Sequence, residues 1–247
     1  MDRAVFLAYK SIMGGERRCF FTPNMQMLSS AQKEKRTKEL LNSASVSLPD
    51  GAGLKLVAKL VGTEIKNTVA GIDFGERLFG LAEKERARVF ILGGGREVAE
   101  RAAKNIMKKH PRIKICGTFH GYFKPQHTSA VCRMIEMSAP DVLIVCQGFP
   151  KQERFARFVM RNTSCVKVIA CLGGSLDVWA GDLLRAPQWM RSMQLEWLFR
   201  LLQEPSRCAR FVRSCDVLGI ALEKRIEKML LCGMKEQKRA YNQTDIL

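Results

Sequence analysis

Five short apolar runs, at residues 19–21, 89–92, 113–117, 142–146 and 166–172, show little of the polar alternation of a strand with one wet face. Runs of this kind are strands of a parallel sheet buried on both faces. Between the second and third, residues 97–109 carry Val98, Ala102 and Ile106 on one stripe, with Ala99, Ala103 and Met107 beside it, which predicts a helix laid on that sheet. Glu97 and Glu100 open it, Lys104, Lys108 and Lys109 close it in the sense the helix dipole favours, and His110-Pro111 stops it. The order predicts an α/β fold: a Rossmann-like, mostly parallel sheet flanked by helices, with right-handed crossovers.

From Glu204-Pro205 onward strand candidates end. Counted at about 100° per residue from Arg207, the apolar Phe211, Cys215, Leu218, Leu222, Ile226 and Met229 share one sector. Arg207, Arg210, Arg213, Lys224, Arg225 and Lys228 share the neighbouring one. This is a basic amphipathic helix or helix pair, suited either to an anionic membrane surface or to capping the core with a charged, solvated face. The expected organisation is an α/β domain, 1–199, and a C-terminal helical, membrane-binding appendage, 200–247.

Composition narrows the partners. The chain has 247 residues, 47% hydrophobic, enough for a sizeable core. Its nine cysteines form no Cys-x-x-Cys pair and no histidine stands at ligand spacing, so reduced thiols, a cytoplasmic compartment and no metal are expected. No apolar stretch approaches the roughly 20 residues needed to cross a bilayer. A formal charge of +17 attracts polyanions: nucleic acid, anionic lipid or phosphorylated substrates. Basic residues interleaved with aromatics, which single-stranded nucleic acid requires, are not found, so no nucleic-acid partner is expected.

Candidate chemistry clusters after the strands. Gly93-Gly94-Gly95 follows one strand and leads straight into a helix, where backbone N–H groups can face a diphosphate. Gly173-Gly174-Ser175 repeats the arrangement, and neither matches the dinucleotide fingerprint. Gly148-Phe149-Pro150-Lys151-Gln152-Glu153 packs a turn, a cation, an amide and a carboxylate into six residues. Thr22-Pro23-Asn24 and Pro49-Asp50-Gly51-Ala52-Gly53 hold polar groups in rigid turns, although Asp50 alone reads first as a turn former. Trp179, Trp189 and Trp197 are expected in the core, and Tyr122, in a Gly-Tyr-Phe turn, is expected to touch substrate. His120 and His127 carry little weight, and residues 33–38 read as a solvated helix face.

These pieces, with Gly71-Ile72-Asp73, Gly121-Tyr122-Phe123, Pro140-Asp141, Asp177, Gly181, Arg185-Ala186-Pro187, Glu196-Trp197-Leu198 and Glu204-Pro205, resemble in order and spacing the WecG/TagA/CpsF glycosyltransferases over about residues 19–213. The resemblance implies an inverting transferase that moves N-acetylmannosamine, its uronic acid or a related sugar from a UDP-sugar donor to a prenyl-diphosphate-linked GlcNAc acceptor. That chemistry belongs to wall teichoic acid or surface-polysaccharide synthesis, on the inner face of a bacterial membrane. It makes Asp50 the general base and places Thr22 and Gln152 in its pocket, with Arg200, Arg207 and Arg210, joined by Arg213, gripping the lipid diphosphate. Substrate-binding candidates are Thr22, Asn24, Gly93, Gly94, Tyr122, Gly148, Lys151, Gln152, Glu153, Gly174, Asp177 and Arg185.

A positioned carboxylate suits a single displacement, because the attacking hydroxyl must lose its proton as the bond forms. Charge on the departing UDP must be met by a metal, cations or oriented N–H groups. The chain has no Asp-x-Asp, so cations and glycine-turn amides are expected to serve, with no cofactor. Thr68 stands where many of the family carry arginine, which removes one phosphate or acceptor contact. A homo-oligomer is compatible with all of this. The alternative, a nicotinamide-dependent oxidoreductase of Rossmann type, shares the α/β pattern but lacks the fingerprint and the ribose-binding acid.

Overall fold

The computed structural model describes residues 1–205, 208–223 and 225. Six strands form one sheet: β1 (Arg18–Phe21), β2 (Val46–Ser47), β3 (Arg88–Gly93), β4 (Lys114–Phe119), β5 (Val142–Cys146) and β6 (Val168–Cys171). Their order is β2-β1-β6-β5-β3-β4, with every pairing parallel. β5 and β6 are apolar throughout, and β3 is so after Arg88, because both faces are covered. Phe20, Val89, Ile91, Val142, Ile144, Val168 and Ala170 enter one core, while Phe21, Phe90, Leu92, Leu143, Val145, Ile169 and Cys171 enter the other.

The first core is covered by α1 (Asp2–Ile12), α5 (Gly71–Lys84), α6 (Arg96–Lys109) and α9 (Ser175–Ala180). The second is covered by α7 (Thr128–Ser138) and α8 (Lys151–Asn162), against which α3 (Lys35–Asn42) also packs. Adjacent strands therefore send their chains to opposite faces: β6 and β3 lead to α9 and α6, β5 and β4 to α8 and α7. Such divergence opens crevices at the carboxyl edge of the sheet.

Five of the six strands match the apolar runs; β2 was not anticipated. The helix 97–109 is present as α6, but its buried face is Ala99, Ala102, Ala103 and Ile106, with Met107 exposed. The small residues let α6 lie close to both sheet and α9, and Asn105 Nδ2 donates to the carbonyls of Trp179 and Ala180 at 3.0 and 3.3 Å. Residues 33–38 are not one solvated face. α2 (Met25–Lys33) ends at Glu34, which accepts from the Thr37 hydroxyl at 2.6 Å, and Thr37 is buried.

Helices α4 (Ala52–Leu60), α10 (Gln188–Ser192), α11 (Glu196–Gln203) and α12 (Cys208–Ser214) complete the elements, and residues 216–223 are also helical. The helical wheel counted from Arg207 is interrupted at Cys215. Ser214, Val217 and Ala221 are buried, the last two against Val57 of α4, whereas Leu222 is 48% exposed. Ile226 and Met229, like Lys224 and Lys228, lie outside the described residues. Lys33 and Ser29 both hold Asp216, fastening this segment to α2. Helix α11 runs through residue 200 without a break. No described helix is long and apolar enough to cross a membrane.

Candidate functional site at the carboxyl edge of the sheet

Thr22 leaves β1 and Asp50 follows the short β2, and local hydrogen bonds set both. Leu48 N–H donates to Phe21 O at 2.8 Å, Asp50 N–H to Pro23 O at 2.9 Å, and Val69 N–H to Pro49 O at 2.8 Å. The Pro49-Asp50 turn is thus sewn between the β1 exit and the segment leading into α5. At the head of α5 the Gly71 N–H donates to Asp50 Oδ2 at 3.2 Å. Gly71 lies close to both side chains: a Cβ there would stand in van der Waals contact, 3.4 Å from Thr22 Cγ2 and 3.7 Å from Asp50 Oδ2. The Thr22 hydroxyl, itself buried, donates to Cys171 O at 2.9 Å and ties the corner to β6.

Asp50 is half-buried, and burial pushes its carboxyl from 3.8 up to about 6. The Gly71 N–H and the Arg200 guanidinium pull it down; Glu196 and Asp73 push it up. Helix α11 therefore brings a cation and an acid to bear on this turn. Arg200 is paired with Glu196 at 3.2 Å, and Arg185 Nη2 with Asp73 Oδ1 at 2.5 Å. A carboxylate poised near neutrality beside cations can accept a proton from a hydroxyl brought against it.

A second knot lies at the ends of β3, β4 and β5. Gly121 N–H donates to Gly94 O at 2.8 Å, and Gly121 O accepts from Lys151 Nζ at 2.6 Å and from Gln147 Nε2 at 2.9 Å. Gly94 adopts φ +55°, and a Cβ there would press on Val98 and Leu176. Tyr122 is 79% exposed beside this knot. Gly148, with φ +76°, and the cis Phe149-Pro150 bond shape the entry to α8.

The remaining candidates divide by burial. Asn24 Oδ1 caps α2 by accepting from Met27 N–H at 3.1 Å. Gln152 and Glu153 are fully buried, behind the edge rather than on it, with the Gln152 carboxamide oxygen accepting from Gly173 N–H at 3.0 Å. Gly174 caps α9, and Asp177 is half-buried in its first turn. Arg213 is exposed, Arg210 falls in α12 and Arg207 lies outside the described residues. Half-buried Thr68 precedes Val69, whose N–H holds Pro49. Of the three tryptophans only Trp179 is in the core; Trp189 is 61% exposed and Trp197, stacked on Phe211 at 4.8 Å, 41%. Gly71, Asp73, Gln147 and Glu196 were not among the site candidates, although the Gly-Ile-Asp motif carried a signal for the first two.

Fold and site together define an α/β protein whose candidate site lies along the carboxyl edge of a parallel sheet. The sequence pattern of the Glycosyl transferase WecG/TagA/CpsF family matches residues 1–229. An N-acetylglucosaminyldiphosphoundecaprenol N-acetyl-beta-D-mannosaminyltransferase of Bacillus subtilis (strain 168) is 32% identical over 217 residues, covering 88% of this chain and 79% of the relative. The protein of the same name from Bacillus spizizenii (strain ATCC 23059 / NRRL B-14472 / W23) is 35% identical over 191 residues, 77% and 73% of the two chains. The chain belongs to the WecG/TagA/CpsF family of glycosyltransferases. This membership sets aside the nicotinamide-dependent oxidoreductase.

Proposed function

We propose that the protein transfers N-acetylmannosamine, or its uronic acid, from UDP to GlcNAc linked to undecaprenyl diphosphate, with inversion. Asp50 is the base. It takes the proton of the acceptor hydroxyl as that oxygen attacks the anomeric carbon, and UDP departs from the opposite side. The observation that carries the reading is the Asp50 corner, where a carboxyl raised to about 6 is held by one N–H and faced by Arg200. The names of the two relatives supply the donor sugar and the acceptor.

Gly93, Gly94, Gly148, Gly174, Lys151, Tyr122 and Asp177 then line the donor side, where the leaving diphosphate gathers charge. Thr22 and Asn24 shape the acceptor side below Asp50, and Gln152 and Glu153 support it from within. Arg185 and Arg200, released from Asp73 and Glu196 by a stronger anion, meet the acceptor diphosphate with Arg207, Arg210 and Arg213. The segment from 200 onward serves as the appendage that seats the protein on the anionic cytoplasmic leaflet. Leu184, Trp189, Met193, Leu202 and Val212, all exposed, supply apolar contacts for that surface.

The test is incubation with a panel of UDP-sugars and a short-chain prenyl-diphosphate-GlcNAc, followed by mass analysis. A product heavier by one N-acetylhexosamine or its uronic acid is expected. No glycosylated lipid with any donor would overturn the proposal.

A further inference from the structure

Glu153, in the first turn of α8, is a fully buried acid that the reaction above does not use directly. Its Oε1 accepts from Gln152 Nε2 at 2.8 Å, while its Oε2 has no hydrogen-bond partner among the described residues. Gln152 is equally buried, and its Oε1 accepts from the Gly173 N–H at 3.0 Å. These contacts leave the carboxamide one orientation. A backbone N–H can only donate, so the amide oxygen must face Gly173; the amide NH2 then needs an acceptor, and Glu153 provides it. Burial pushes the Glu153 carboxyl up and the Gln152 donation pulls it down.

The same contacts lead to the catalytic corner. Cys171 Sγ donates to Gln152 O at 3.7 Å, Thr22 donates to Cys171 O at 2.9 Å, and Gly71, which holds Asp50, packs on Thr22. We propose that Glu153 is a positioning residue: it orients the Gln152 carboxamide, which pins the Gly173 turn at the end of β6 and steadies the wall on which Thr22 and Asp50 rest. Its effect on turnover rests on the transferase reading; the anchoring of Gly173 does not.

Three variants test it. Glu153→Gln still offers Gln152 a carbonyl oxygen, whereas Glu153→Met has similar length and no such acceptor. The exchanged pair Gln152→Glu with Glu153→Gln rebuilds both hydrogen bonds: a carboxylate at 152 accepts from the Gly173 N–H as before, and an amide at 153 donates to that carboxylate, so only the bond between the two side chains is reversed. Amide exchange at Gly173 should quicken at least about tenfold in Glu153→Met and stay within about threefold of wild type in the other two. In sugar transfer, kcat should fall about 10- to 100-fold in Glu153→Met, with KM for donor little changed, and Glu153→Gln should recover most of it. Unchanged Gly173 exchange in Glu153→Met overturns the proposal, as does Glu153→Gln impaired to the same degree. Should Glu153→Met not fold, loss of Gly173 protection in the exchanged pair overturns it instead. A wild-type protein that transfers no sugar would sink the transferase reading while the exchange data still decide the anchoring.

Discussion

Replacing Asp50 by Asn removes the proposed base, and the structure makes the unusual prediction that the variant is the more stable protein. Burial raises the carboxyl from 3.8 to about 6 in the folded chain, so the folded state favours the protonated form. For an acid shifted this way stability is greatest below the unfolded value and declines as pH rises through the folded value. At pH 7 the deficit reaches about 3 kcal/mol, from 1.36 kcal/mol for each unit between 3.8 and about 6. Asp50 retains some exposure, and solvent screening brings the expectation to about 1–3 kcal/mol. Asparagine can still accept the Gly71 N–H through Oδ1, so that bond is kept. The Asn variant should melt roughly 2–12 °C higher at pH 7, taking about 2–4 °C per kcal/mol for a domain of this size. Its advantage should shrink toward zero by pH 4. Melting both proteins between pH 4 and 8, alongside the transfer assay, reads the stability and the chemistry together. Parallel melting curves at every pH would refute the desolvation argument, and turnover retained in the variant would remove Asp50 from the reaction.

Other consequences are open to simpler measurements. The pH profile of kcat/KM should fall about tenfold per unit below roughly pH 6, and Arg200→Met, which deletes a downward pull on Asp50, should move that limb to higher pH; a limb near 4, or one that Arg200→Met leaves in place, contradicts the assignment. Gly75→Ala should cost about 1–3 kcal/mol, because its Cβ would stand 2.5 Å from Trp179 Cη2 while the indole is pinned to Glu76 at 2.8 Å; an unchanged melting temperature would mean the indole yields. Changing Arg207, Arg210 and Arg213 together to Glu should weaken sedimentation with acidic vesicles at least about tenfold without lowering the melting temperature; undiminished binding would return this segment to a purely structural role.

What could be read from the sequence follows from how locally each feature is determined. β3, β5 and β6 are legible because strands covered on both faces must be apolar at every position, whatever their neighbours. β2 is not legible: Val46 and Ser47 are strand only because they pair with Phe20 and Phe21. The same limit governs the C-terminal segment, where one turn at Cys215 shifts every later side chain and puts Val217 and Ala221 inside in place of Leu222. Trp189 and Trp197 mislead because aromatic size predicts burial only when something lies above it. At the candidate site, Asp50 stands out only through the family pattern, since its turn alone reads as a turn former. The burial of Gln152 and Glu153 could not be read, since nothing in Lys151-Gln152-Glu153 says which of three polar side chains face inward.

The alternating departure of chain to the two faces of the sheet has an evolutionary reading. β3, β4, β5 and β6 each hand their last residue to a loop at one rim of the sheet, while β5 and β6, buried at every position, leave no room for a polar substitution. Donor and acceptor preference can therefore drift loop by loop, each exchange confined to one segment of the rim, with the platform beneath remaining as it is.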